Sequence, residues 1–93
     1  MNSINLFIGN SFTDQEKQDY FVFLFIAMVI EDCKIKWNKS GSNVYELLKA
    51  GGVIEYLTNG YDCLHTQSME YIINDIEEIL LKVREETGGL NEI

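Results

Sequence analysis

Cys33, Cys63 and His65 are the only thiol and imidazole side chains of the chain, and the last two stand two residues apart. Three such ligands meeting on one zinc ion would leave a structural site one short, because such sites take four ligands, paired at recognisable spacings. A cysteine–histidine nucleophilic pair fares no better. Residues at i and i+2 point to opposite sides of a strand and diverge on a helix, so the spacing gives no reason for contact. Glu77 and Glu78 are adjacent carboxylates expected on a solvated face, without the enclosure that acid–base chemistry needs. The sequence holds no glycine-rich phosphate loop, no G-x-S-x-G elbow and no H-E-x-x-H helix. It therefore offers no catalytic, cofactor-binding or metal site, and the chain reads as a non-enzyme. Two cysteines make at most one bridge, whereas small secreted domains usually carry several, so both are read as reduced thiols.

The segment around His65 reads better as a structural corner. Asp62 can accept hydrogen bonds from backbone donors two or three residues on, in the region of His65, and Thr66 can cap the next helix. The local secondary structure of Tyr61 to Gln67 stays open at this point.

The elements that position this corner are helical. Thr13 followed by Glu16 has capping-box spacing, and acids at Asp14, Glu16 and Asp19 with Lys34 and Lys36 at the far end follow the helix dipole. Between them Tyr20 to Ile30 is an unbroken apolar run of eleven residues. A buried strand competes for such a run, but the cap and the length beyond it favour a helix. Apolar on every face, this helix must be central or sit in an oligomer. Trp37 to Gly41 reads as a loop, after which Ser42 or Asn43 caps a short helix burying Val44, Leu47 and Leu48 and ended by Gly51-Gly52. Val53 to Leu57 adds one or two turns, closed where Asn59 or Gly60 can turn left-handed. Thr66 or Ser68 caps the last helix, in which Met69, Ile72, Ile73, Ile76, Leu80 and Val83 recur at spacings of three and four. Glu70, Asn74, Glu77, Glu78, Leu81 and Glu85 fall on its opposite face, an acidic stripe containing one leucine. The expected architecture is an all-α single domain of about four helices over residues 12–86. A central apolar first helix and an amphipathic last one frame it, with an N-terminal segment at 1–11 and a frayed tail at 87–93.

Ninety-three residues bury one core and hold no cleft between two lobes. Apolar residues at 46% and charged ones at 24% support folding over disorder. Fifteen acids against seven bases give a net charge of −8, the wrong sign for binding nucleic acid directly and the right one for a basic protein partner. The apolar run is well short of the roughly 20 residues that cross a bilayer, so no membrane is expected. The start lacks the basic residues of a signal or transit peptide, which points to the cytoplasm.

Val44-Tyr45-Glu46-Leu47-Leu48-Lys49, Gly52 to Leu57, Tyr61 to Gln67, Glu70-Tyr71-Ile72 and Asp75-Ile76 together resemble a small bacterial family, a domain of unknown function. Its pattern is Y-D-x-L-H-T followed by E-Y-x-x-x-D-I. The resemblance covers roughly residues 15 to 83, departing at Ser68-Met69 where a glycine and a polar residue are expected. It implies a small cytoplasmic protein often encoded beside a family that looks like ADP-ribosyltransferases, an arrangement of toxin and antitoxin. Tyr61, Asp62, Leu64, His65, Thr66, Glu70, Tyr71 and Asp75, the matching positions, become candidates for the shared fold or the shared contact.

Three functions follow. In the first, the chain is an antitoxin-like or immunity-like neutraliser that needs no cofactor. It covers the cleft of a neighbouring enzyme with its acidic helix, through Glu77, Glu78 and Leu81 as well as the positions above, against a basic rim that handles pyrophosphate. In the second it is a DNA mimic of anti-CRISPR type, which needs acids spread over an extended face, whereas a cleft-plugging inhibitor needs apolar anchors ringed by charge. In the third it is a homo-oligomeric structural protein built on the apolar helix.

Overall fold

The computed structural model describes residues 13–86, and within them the fold is all-α. The segments 1–11 and 87–93 expected at the ends lie outside the described residues. Five helices follow in order: α1 Asp14–Trp37, α2 Gly41–Ala50, α3 Val53–Asn59, α4 Tyr61–Leu64 and α5 Met69–Glu86. The helix beyond the four expected is the single turn α4, in the segment whose conformation the sequence left open.

The capping box forms as expected. The Glu16 backbone N–H donates to Thr13 Oγ1 at 3.1 Å, and the Thr13 N–H donates to Glu16 Oε1 at 2.8 Å. α1 ends at Asn38, whose N–H still donates to the Lys34 carbonyl and whose left-handed backbone (φ 53°) turns the Lys39 N–H onto the same carbonyl at 3.2 Å. The cap of α2 lies two to three residues earlier than expected: Ser40, in place of Ser42 or Asn43, accepts the Asn43 N–H at 3.2 Å. Between α2 and α3 the backbone turns left-handed at Gly52 (φ 74°), a conformation that costs residues with a Cβ. The left-handed turn expected at Asn59 or Gly60 is not taken: Gly60 sits at φ −96°, donates to the Tyr56 carbonyl and leads directly into α4. A Cβ on Gly60 would meet that carbonyl at 3.1 Å, so the close succession of α3 and α4 calls for glycine there. Ser68 caps α5 by accepting the Tyr71 N–H at 3.1 Å, while the Thr66 hydroxyl donates back to the Cys63 carbonyl at 2.7 Å.

The core collects Phe25, Val29 and Cys33 of α1, Val44 and Leu48 of α2, Val53 and Leu57 of α3, Leu64 of α4, and Ile72, Ile73, Ile76 and Leu80 of α5. The amphipathic period of α5 is thus the face it buries, and Leu47 of α2 is only half-buried. α1 is central in that α2, α3 and α5 all pack on it, yet it buries a single stripe. Tyr20, Phe21, Phe23, Leu24, Met28 and Ile35 are exposed, and buried positions begin only at Phe25. No helix among the described residues is long and apolar enough to cross a membrane.

Candidate functional site

The corner is built on an aromatic stack. Tyr61 opens α4 and sets its ring edge-on to Phe25 of α1, with centroids 5.5 Å apart. One turn later the His65 imidazole lies parallel to the Tyr61 ring at 4.4 Å, and its Nδ1–H donates to the Tyr61 carbonyl at 2.6 Å. That bond fixes the tautomer, because a carbonyl can only accept. His65 is therefore committed to its own helical turn through ring and nitrogen alike. Leu64 is buried in the core. The Asp62 carboxylate, expected to accept backbone donors, has no hydrogen bond among the described residues and is exposed; the His65 N–H goes to the Tyr61 carbonyl instead. Of the motif segment Tyr61 to Thr66, then, Tyr61, Leu64, His65 and Thr66 make local structure, and Asp62 faces solvent.

The second half of the motif divides the same way. Asp75 accepts a hydrogen bond from the Tyr56 hydroxyl of α3. This contact holds the phenol in its neutral form; with partial burial and the carboxylate's charge it pushes the Tyr56 hydroxyl from 10.0 up to about 12. Sequence reasoning missed Tyr56 as the partner, and nineteen residues separate the two, so no local spacing could have signalled it. Glu77 likewise is not part of an open acidic stripe. Its Oε2 accepts the Trp37 indole N–H at 2.7 Å and its Oε1 accepts from Lys36 at 3.2 Å, with Asn74 at 3.5 Å from the same ammonium. Glu77 is a strut between the end of α1 and the middle of α5.

With those positions committed to the fold, the outer face of α5 comes down to Glu70, Tyr71, Asn74, Glu78, Leu81 and Glu85, all exposed. Tyr71 is 54% and Leu81 47% exposed. At ten residues apart on the helix, they lie about 15 Å from one another along its axis, with Glu78 between and Glu70 and Glu85 at the ends. The face presents two apolar anchors set among carboxylates.

A shallow groove of about 280 Å³ runs between α1 and the start of α5, lined by Asp32, Ile35, Lys36, Met69, Glu70 and Ile73, and it is largely open to solvent. Cys33 is buried, and burial, reinforced by the nearby Glu77 and Asp32 carboxylates, pushes its thiol from 9.0 up to about 11. A thiol so held is not a nucleophile near neutral pH. Cys63 is exposed and also unpaired. Among the described residues no three of the histidine, cysteine, aspartate and glutamate side chains are grouped to hold a metal ion.

A family described as Protein of unknown function (DUF3791) matches residues 24–82, which run from α1 through the corner and most of α5. Neither the comparison with curated proteins nor that with solved structures gives a match.

Proposed function

The chain belongs to the family described as Protein of unknown function (DUF3791), and from that premise we propose that it is a non-catalytic protein-binding module that neutralises a neighbouring enzyme. The observation that carries this reading is the outer face of α5, where Tyr71 and Leu81 stand exposed among Glu70, Glu78 and Glu85. Exposed aromatic and aliphatic anchors fill pockets on a partner, and a ring of carboxylates steers a basic rim toward them. The net charge of −8 adds long-range attraction to such a rim. The enzyme is of the ADP-ribosyltransferase-like class, whose cleft must accommodate the pyrophosphate of NAD and so carries positive charge. This last step rests on the family resemblance of the corner and α5 motifs. A DNA mimic is less well supported: Glu77, one of the adjacent carboxylates, is tied to Trp37 and Lys36, which leaves an interrupted row of acids with apolar side chains among them.

The test is co-purification of the tagged chain from its native cells beside the variants Tyr71→Ala, Leu81→Ala and Glu78→Lys. The expected result is one basic, NAD-consuming protein recovered with the unaltered chain and lost with each variant. A nuclease or other nucleic-acid-binding enzyme in its place would favour mimicry. Recovery that ignores all three substitutions would remove α5 from the account.

A further inference from the structure

The outer face of α1 is used by neither the core nor the α5 face. Phe21, Leu24, Met28 and Ile35 recur at spacings of three, four and seven residues, the seam of a two-stranded coiled coil, with Glu31 in the remaining position. Met28 is 60% and Ile35 80% exposed, and Tyr20, at 43%, borders the same stripe. Together these five side chains leave on the order of 500 Å² of apolar surface in water, at the upper end of what monomers show and well over half of the ~800 Å² that each partner gives to a stable interface. The flanking polar side chains would supply the rest.

The charges on the stripe say what covers it. Lys17 stands one turn before Phe21, with no ion pair among the described residues, and Glu31 stands near the other end, 65% exposed and joined only to Lys34 of its own helix. A parallel pair of α1 helices would set Lys17 against Lys17 and Glu31 against Glu31. An antiparallel pair centred on Leu24 sets each Lys17 opposite the other copy's Glu31 and closes between them an apolar seam in which Leu24 faces Leu24 and Met28 faces Tyr20. We propose that a second copy of this chain docks on the outer face of α1, antiparallel about Leu24, through Tyr20, Phe21, Leu24 and Met28 with reciprocal Lys17–Glu31 pairs. The α5 face plays no part in this contact, so either can fail without the other.

Sedimentation equilibrium on the full chain tests it. The unaltered chain should sediment at twice its 10.7 kDa mass at about 100 µM. Met28→Glu and Leu24→Glu should yield monomers with unchanged helicity and with the unfolding midpoint that the unaltered chain approaches on dilution, since neither side chain is in the core and only the stabilisation by association is lost. Lys17→Glu and Glu31→Lys should each weaken the dimer roughly tenfold, and an equimolar mixture of these two variants should restore it, because every cross-pair is then complementary. A monomer at all concentrations would overturn the proposal, and so would a dimer indifferent to Met28→Glu. A monomer destabilised by Met28→Glu would place residues 1–12 on the stripe instead. Charge variants that leave the dimer constant unchanged would overturn the antiparallel pairing.

Discussion

The indole N–H of Trp37, at the last residue of α1, donates to the Glu77 carboxylate halfway along α5 at 2.7 Å. Lys36 donates to the other oxygen of the same carboxylate at 3.2 Å, so one side chain joins the two helices across a Trp37–Glu77 separation of forty residues in sequence. Its neighbour Glu78 is exposed and has no hydrogen bond among the described residues. Adjacent and chemically identical, the two carboxylates have different work.

That difference is measurable by denaturant unfolding. Glu77→Ala leaves the indole N–H without its acceptor and should lower stability by about 1–2 kcal/mol, as expected for a charge-assisted bond in a half-buried setting. Glu78→Ala should stay within about 0.5 kcal/mol of the unaltered chain. Equal losses would mean that Glu77 is not a strut.

Alkaline pH should destabilise the fold in two steps. The folded chain holds Cys33 at about 11 against 9.0 and Tyr56 at about 12 against 10.0. Both groups have folded values above their unfolded ones. Their contribution is therefore complete below pH 9, declines for Cys33 between 9 and 11, and declines for Tyr56 between 10 and 12. For the fully buried Cys33 the loss is on the order of 2 kcal/mol. Unfolding midpoints followed from pH 7 to 11.5 should be level and then fall. Cys33→Ala should flatten the early part of the fall and Tyr56→Phe the later part.

Leu64 and Tyr71 both belong to the recognised motif and should behave in opposite ways. Leu64 is buried among core side chains, so Leu64→Ala should cost about 2–4 kcal/mol. Tyr71→Ala should leave thermal unfolding nearly unchanged, because that ring is mostly in water. Circular dichroism melts of the two variants separate fold from contact within one motif.

Gly52 is the turn between α2 and α3, and its φ of 74° is the only left-handed glycine conformation among the described residues. A Cβ there meets nothing within 4 Å, so the cost of Gly52→Ala is conformational alone, about 1 kcal/mol. A larger loss in equilibrium unfolding would indicate packing that the fold does not display.

The sequence states the helices wherever the signal is local. Thr13 and Glu16 mark the start of α1 through a capping box, and Met69 through Val83 mark the buried face of α5 by period. The single turn α4 was not legible, because four residues carry no period and its stability comes from Tyr61 packing on Phe25 of another helix. The apolar run of α1 announced a helix buried all round, but hydrophobicity alone cannot say which side the other helices take; Val29 is fully buried and Met28 beside it is exposed. The candidate site was legible in composition and not in roles. Spacing placed Glu77 on the acidic face of α5, and only the tertiary approach of Trp37 and Lys36 removes it. Likewise Asp75 belongs to Tyr56, and His65 to the turn it sits on. What remains of the acidic face, Glu70, Tyr71, Glu78, Leu81 and Glu85, is the part the fold leaves unspent.

The central claim is that this remaining face neutralises an NAD-consuming enzyme. Its most direct test is to titrate the purified chain into the NAD-consuming enzyme that the proposal expects to co-purify with it and to follow NAD turnover. The account predicts that turnover falls to background near one chain per enzyme, and that the double variant Tyr71→Ala, Leu81→Ala shifts the midpoint by at least about a hundredfold while folding normally. Turnover that continues at a tenfold excess of the unaltered chain would contradict it, as would equal inhibition by the double variant.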